Sequence, residues 1–191
     1  SWRISILDKS PIAENETAAD ALARTLALAQ QAENLGYHRF WIAEHHNTPQ
    51  LASPSPELLI AWILGQTTRI RVGSGGVMLQ HYSPYKVAEN FNVLAALAPG
   101  RVDLGVGKAP GGLPLSTRAL QLGLDQQEKG SFAEQLAHLD HWIRPENQAA
   151  EEVFAQRRYR PYLHRVFCWA QVLKARCWLQ NSTGTLFLLR T

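Results

Sequence analysis

Residues 70–112 of the 191-residue chain read IRVGSGGVMLQHYSPYKVAENFNVLAALAPGRVDLGVGKAPGG. The run Ile70-Arg71-Val72, with two β-branched residues, is typical of a strand and leads into the glycine-rich segment 73–76. Ser83-Pro84 is a typical helix start, with an N-cap residue followed by a proline in the first turn. A second strand pattern at 102–106 opens into another glycine-rich loop. The stretch therefore predicts a strand–helix–strand unit.

The same unit repeats towards the amino terminus. Strand patterns begin near Ile4 and Arg39, so four strand starts follow one another at intervals of roughly 31 to 35 residues. An amphipathic helix after the first strand ends at Gly36, where a left-handed C-cap is expected. Ser55-Pro56 then begins the helix after the second strand. Strand and helix thus alternate four times.

This alternation predicts an α/β fold with a parallel sheet, either an open doubly wound sheet or part of a (β/α)8 barrel. A complete barrel usually needs about 250 residues. A helical pattern continues over residues 121–143, but it decays beyond Arg144, and residues 159–176 have no clear period. We therefore expect four units within residues 1–143 and an atypical tail at 144–191. In either fold, functional groups belong at the carboxyl ends of the strands.

The composition is that of a globular protein, with 46% hydrophobic and 18% charged residues. The net charge of +3 is uneven, because residues 1–143 carry 11 basic and 13 acidic residues whereas 144–191 carry 8 and 3. Basic charge confined to the tail is poor evidence for a nucleic-acid partner. With no long apolar run and no signal-peptide layout, we expect a cytoplasmic protein without membrane spans. Cys168 and Cys177 fit no zinc spacing.

The segment Glu44-His45-His46 supplies titratable groups directly after the second strand. Neighbouring residues of an extended chain point to opposite sides, so one histidine is expected to face the site and the other to pack. The same geometry argues against both ligating one metal, and His38 and His81 lie at no supporting spacing. We predict a functional role for at least one histidine of this segment and no metal site.

Two glycine-rich loops are further candidates. The cluster at 73–76 does not open a helix, so it indicates either a bulge or a surface on which a flat ligand lies against bare backbone. The loop 105–112 begins like the dinucleotide-binding motif G-x-G-x-x-G, but Pro110 takes the place of the third glycine, which disfavours a nucleotide-binding fold of that type. Lys108 in this loop is either a solvated charge or a contact for a phosphate group.

Four long motifs follow one another along the chain: YHRFWIAEHHN at 37–47, RIRVGSGGVML at 69–79, HYSPYKVAENF at 81–91 and PGRVDLGVGKAPG at 99–111. Together they closely resemble the bacterial luciferase-like flavin monooxygenases. The resemblance extends from residue 4 to about residue 143. It implies a (β/α)8 barrel that binds reduced FMN at the strand carboxyl ends and passes one atom of molecular oxygen to a small organic substrate.

The resemblance also implies roles for individual residues. His45 matches the family's active-site histidine, which acts as an acid/base beside the flavin. Glu44 precedes it as in the family and is expected to be one of the cofactor-binding residues. Gly75 and Gly76 match the place of a non-proline cis peptide that packs against the flavin ring. Lys108 matches a basic position that contacts the FMN phosphate.

Partners and alternatives follow from the same resemblance. A flavin reductase would supply reduced FMN, and since the family's barrels often pair, a homodimer is expected. Two alternatives stay open. One is a non-catalytic chain that binds flavin weakly or pairs with another subunit, and the other is an oxidoreductase that uses a deazaflavin cofactor.

The tail at 144–191 does not resemble the family. When the codons of residues 167–191 are read from the third base, one permitted product is LLGSSAQSALLAAEL followed by DWDFVFA, which looks like the family's next strand, phosphate-binding loop and helix. We hypothesise that the reading frame shifts after about Ile143. A half barrel would leave strand edges and an apolar face uncovered, so we expect this chain by itself to be marginally stable, and a truncated, inactive form of the monooxygenase stays open as an alternative.

Overall fold

The computed structural model describes residues 3–143 and 166–169 of the chain. The strands are β1 (Ser5–Asp8), β2 (Arg39–Ile42), β3 (Arg71–Ser74), β4 (Val77–Met78), β5 (Val102–Gly107) and β6 (Val166–Trp169). The helices are α1 (Ala18–Asn34), α2 (Pro56–Leu64), α3 (Pro84–Leu97), α4 (Pro114–Leu120), α5 (Gln126–Lys129) and α6 (Phe132–Ile143). A short 3-10 helix over Leu79–His81 follows β4.

The strands pair in parallel, and they follow chain order when β3 and β4 are counted as one interrupted strand. β1 pairs with β2, β2 pairs with β3, and β5 pairs first with β3 and then with β4. On its other side β5 pairs with β6. An open doubly wound sheet reverses its strand order at a switch point, and the described strands contain no such reversal. The order is that of part of a (β/α) barrel wall.

One face of this sheet is apolar and packs against the helices. Its buried side chains alternate along the strands, as expected for a strand period of two. They are Phe40, Ile42, Val72, Val77, Val102, Leu104 and Val106. Buried residues of α1, α2 and α3 cover them, namely Ala29, Ala32, Ile60, Ile63, Val87, Phe91, Leu94 and Ala95.

The opposite face, which would line a barrel interior, is polar at the amino end of the strands. Asp103 is fully buried there, and its carboxylate accepts hydrogen bonds from Arg39 Nε at 2.9 Å and Arg71 Nε at 2.8 Å. Two guanidinium groups compensate the buried carboxylate, as a charge removed from water requires. Towards the carboxyl end β3 and β5 contribute no side chains to this inner face, because Gly73, Gly105 and Gly107 lie there, and the Trp41 ring covers Gly73.

The structure divides the helical pattern that was predicted for residues 121–143. α5 ends at Lys129, and Gly130 follows with a φ of +72°. Ser131 Oγ accepts a hydrogen bond from the Glu134 N–H at 3.2 Å, and the Glu134 carboxylate accepts one from the Ser131 N–H at 2.6 Å. This capping box begins α6, so the turn at Gly130 separates two helices.

Residues 166–169 form β6, within the segment 159–176 where the sequence shows no clear period. The four residues Val166–Trp169 are a continuous apolar run without alternation, a pattern typical of strands in parallel sheets. The rest of the tail, including Cys177 and most of the segment in the frame-shift hypothesis, lies outside the described residues. In the described part of the chain, the helices are too short or too polar to cross a bilayer.

Candidate active site

Glu44 lies just past the end of β2 and is fully buried. Its Oε2 is 2.7 Å from His46 Nε2 and accepts a hydrogen bond from the Tyr82 hydroxyl at 3.0 Å. Its Oε1 accepts a longer bond, 3.4 Å, from the Met78 N–H. A carboxylate has only acceptors, so His46 Nε2 is the donor in that pair. These contacts tie the end of β2 to the segment that follows β4.

Tyr82 is the donor that the sequence analysis did not single out. Burial raises the pKa of its hydroxyl, and the carboxylate of Glu44 raises it further. The hydroxyl therefore stays protonated and keeps donating at neutral pH. Tyr82 and Glu44 are 38 positions apart, and no local pattern in the sequence predicts such a contact.

Glu44, His46 and Tyr82 form the Glu44 cluster, and His45 points away from it. Glu44 and His46 bond to each other and so share one side of the extended chain, which leaves His45 on the opposite side with Trp41. The His45 N–H donates to the Ser53 carbonyl at 3.0 Å, while its Nδ1 is buried without a partner among the described residues. One histidine packs and the other faces a hollow, as the alternation predicts.

The hollow beside His45 has a volume of about 360 Å³. Its lining comes from the loop that follows β2, with Asn47, Thr48, Pro49, Leu51 and Pro54 around the histidine. Burial lowers the pKa of His45, and the positive charge of Lys9 lowers it further. The imidazole is therefore neutral at neutral pH and able to take or give a proton.

The glycine segment after β3 shifts the register of the sheet. Val72 pairs with Val102 and Val77 pairs with Val106, so a step of five residues on one side opposes a step of four on β5. This is a β-bulge, one of the two alternatives drawn from the sequence. The peptide bond between Gly75 and Gly76 within it is cis, at the position that the family resemblance implies.

The backbones meet too closely here for side chains. A Cβ on Gly76 would lie 2.9 Å from the backbone of Gly105 and Val106. One on Gly73 would lie 2.5 Å from the Asp103 carbonyl oxygen and 2.7 Å from the Trp41 ring. Glycine is therefore required at both positions, because the Trp41 ring covers Gly73 and the β5 backbone lies against Gly76. Gly75, between them, is partly exposed.

The loop after β5 folds over the Glu44 cluster. The Gly111 carbonyl accepts a hydrogen bond from the His46 N–H at 2.8 Å, and the Pro110 carbonyl is 2.6 Å from His81 Nε2. Gly111 has a φ of +65°, and a Cβ there would lie 2.9 Å from Met78 Cγ. Close approach and backbone conformation both favour glycine at this position.

Lys108 begins this loop and is exposed. Its carbonyl accepts a hydrogen bond from Gln80 Nε2 at 2.8 Å, while its ammonium has no hydrogen-bond or ion-pair partner in the described part of the chain. The loop thus brings Lys108 to the carboxyl edge of the sheet with its charge directed to solvent. Over the residues that the structure describes, no cluster of His, Cys, Asp and Glu is arranged to hold a metal ion.

Comparison with known proteins gives consistent matches. A family model for luciferase-like monooxygenases matches residues 3–163. N-acetyl-S-alkylcysteine monooxygenase of Bacillus subtilis (strain 168) is 54% identical over 163 residues, which are 85% of this chain and 48% of that protein. The crystal structure of apo-MsnO8 has 37% identity and a TM-score of 0.77, covering 88% of this chain and 49% of the other.

A more distant structure shares the fold. The oxygenating constituent of 3,6-diketocamphane monooxygenase from Pseudomonas putida, solved in complex with FMN, is 24% identical with a TM-score of 0.61. The match covers 74% of this chain and 40% of that one. The chain spans about half the length of the curated relatives it matches. From the family match over most of its length, we conclude that the chain belongs to the luciferase-like monooxygenase family.

Proposed function

We propose that this chain is part of an FMN-dependent monooxygenase that acts on a small organic substrate. The observation that carries the proposal is the partly exposed, side-chain-free backbone at Gly75, whose N–H donates to the Ile42 carbonyl at 2.7 Å at the end of β2, next to Glu44 and His45. A planar ring can lie flat against backbone that carries no side chains. The FMN-bound protein with the same fold makes FMN the first cofactor to test.

The residues of this chain fit FMN in two further respects. The exposed ammonium of Lys108 would hold the phosphate as a point charge, although a lysine lacks the two-pronged contact of an arginine. The buried Nδ1 of His45 has no described partner and can exchange a hydrogen bond with a bound molecule. FMN in its reduced form would supply the two electrons that reduce one oxygen atom to water while the other enters the substrate.

His45 would act as the acid/base of this reaction. Its lowered pKa keeps the imidazole neutral, so it can accept a proton near neutral pH and return it. Glu44 would not contact the reacting atoms. It would instead hold the end of β2 in place through His46 and Tyr82.

The substrate proposal comes from the relative that is 54% identical. Its name specifies an N-acetyl-S-alkylcysteine, which is a small thioether acid. We propose a compound of this class as the substrate here, with a separate flavin reductase as the source of reduced FMN. A deazaflavin cofactor is the alternative, because it would use the same bare backbone.

The test uses the purified chain and measures FMN binding through the quenching of flavin fluorescence. Oxygen uptake is then followed with reduced FMN from a flavin reductase and an N-acetyl-S-alkylcysteine. We expect saturable FMN binding and uptake that depends on the thioether. No FMN binding at high concentration would contradict the proposal, and binding of a deazaflavin alone would replace the cofactor.

Replacing His45 separates binding from turnover. His45→Ala should keep FMN binding and lower the turnover rate by about 10²- to 10⁴-fold, the usual contribution of a general acid/base. His138→Ala, which removes an exposed imidazole from α6, is the matched control and should leave both unchanged. Unchanged turnover in His45→Ala would remove His45 from this role.

A further inference from the structure

A second concave site lies at the amino ends of β1, β2 and β3, at the opposite end of the strands from the candidate active site. This hollow is open to solvent and has a volume of about 810 Å³, within the range of small-molecule sites. The lining includes three arginines, Arg3, Arg69 and Arg71, together with His38 and Tyr37. No part of the proposed monooxygenase reaction uses these residues.

The carboxylate that lines this cavity already accepts hydrogen bonds from the backbone. Glu33 is the acidic lining residue, and its Oε2 accepts hydrogen bonds from the N–H groups of Thr68, Arg69 and Ile70 at 3.0, 2.6 and 2.9 Å. Arg3 and Arg69 are exposed, and no described residue accepts a hydrogen bond from either guanidinium group. Arg71 is paired with Asp103, so Arg3 and Arg69 against Glu33 leave an excess of one positive charge in the lining.

His38 adds a buried polar group to the wall. Its backbone N–H donates to the Ile4 carbonyl at 2.8 Å, but its Nε2 is buried and has no partner among the described residues. Burial lowers the pKa of His38, and the guanidinium groups of Arg39, Arg3 and Arg71 lower it further. The positive potential that disfavours an imidazolium here would favour an anion.

We propose that this cavity binds the phosphate group of a small phosphorylated molecule. Arg3 and Arg69 would contact the phosphate oxygens, which match the fork geometry of guanidinium groups. His38 Nε2 would donate to the same group, which supplies the partner that this buried atom lacks. The volume exceeds that of a single ion, so the organic part of the ligand has room beside Tyr37.

The proposed site differs from the one expected for the FMN phosphate. Lys108 follows β5 at the carboxyl end of the strands, whereas Arg69 precedes β3 at the amino end. A phosphate bound at His38 can therefore be distinguished from one at Lys108 by the residue that responds.

The experiment follows the pKa of His38 by NMR of its ring protons, which needs no catalytic activity. Sulfate serves as the first probe because its charge is constant from about pH 5 to pH 8, where histidine titrates. Ionic strength is held constant with chloride. Sulfate should raise the pKa of His38, and inorganic phosphate should compete for the same site. No change in this pKa with either anion would overturn the proposal.

Variants locate the binding contacts. Arg3→Gln and Arg69→Gln should each weaken sulfate binding about tenfold, the loss expected for one charge-assisted hydrogen bond. Arg118→Gln makes the same chemical change on the exposed side of α4 and should bind like the unchanged chain. If Arg118→Gln weakens binding as much as Arg69→Gln, the effect is one of overall charge and the proposed site is wrong.

Discussion

At the scale of single residues, Tyr82 is the clearest test of the Glu44 cluster. Tyr82→Phe removes the hydroxyl that donates to Glu44 at 3.0 Å and leaves a buried carboxylate with one donor fewer. We expect the free energy of unfolding to fall by about 1–3 kcal/mol, measured by urea denaturation. FMN binding should weaken as well if this cluster holds the end of β2 in place.

Tyr85→Phe is the matched control for this change. Tyr85 is also partly buried, but its hydroxyl makes no hydrogen bond with the described residues, and its ring packs against Trp142 at 4.8 Å. Its loss should alter stability by less than about 0.5 kcal/mol. Equal effects of the two changes would mean that the hydroxyl of Tyr82 contributes nothing specific.

The sequence predicted the direction of the site histidines but not their partners. Alternation along an extended chain was enough to place His45 and His46 on opposite sides. The donors to Glu44 depend on a contact between segments 38 positions apart, which no local periodicity encodes. The buried Arg39 and Asp103 pair was missed for the same reason, since its members are 64 positions apart.

At the scale of elements, the carboxylate of Glu33, near the end of α1, accepts hydrogen bonds from the loop that leads into β3 and so holds this loop against the helix. Burial alone would raise the pKa of Glu33, but the backbone N–H groups of Ile70, Arg69 and Thr68 lower it to about 2 from its usual 4.5. The carboxylate therefore stabilises the fold above pH 4.5, and this contribution is lost as the pH falls towards 2.

Glu33→Gln tests this link. At neutral pH the variant should lose about 1–3 kcal/mol of unfolding free energy, because a neutral amide is a weaker acceptor for three N–H groups. The difference from the unchanged chain should shrink as the pH falls below 4.5, which a series of urea denaturation curves would measure. Glu14→Gln, at an exposed position, is the control and should show no such pH-dependent difference.

Helix starts were easier to predict than helix ends. Ser83 begins α3 as expected, with its hydroxyl accepting from the Lys86 N–H, and Gly36 has the predicted left-handed conformation with a φ of +79°. The break at Gly130 was missed because the apolar spacing runs on across it. Only the cap formed by Ser131 and Glu134 indicates a new helix there.

At the scale of the whole molecule, the sequence left two sheet architectures open, and the strand order decides between them. Periodicity reports which residues are buried but not which strands are neighbours, so the barrel-like order required the structure. The family resemblance supplied the same answer by a separate route. The homodimer remains a prediction.

The sheet order predicts an uneven pattern of hydrogen exchange. β3 has described strands on both sides, whereas β1 pairs with β2 alone in the described part of the chain. Amides of Ser5–Asp8 should therefore exchange at least tenfold faster than those of Arg71–Ser74, which mass spectrometry of peptides would measure. Equal protection would mean that another segment covers the free side of β1.

The frame-shift hypothesis is tested on the gene rather than on the protein. Because the family match ends at residue 163, we expect the shift near that position, at the carboxyl side of Ile143. The nucleotide sequence should then encode LLGSS in the alternative frame after residue 166. A stop codon there, or no such segment, would contradict the hypothesis.

The extra residue between β3 and β4 changes the face of the sheet to which the residues after it point. With an even register, Val77 would stand opposite Gly107 and its side chain would enter the bare inner face. The insertion turns Val77 to the partner of Val106 instead, within the helix-facing core. Deleting one residue from 74–76 would make the two steps equal, so Val77 would still oppose Val106 and stay in the core while the bulge was lost. Such a deletion would therefore separate what the bulge does at the candidate site from what the valine does in the fold.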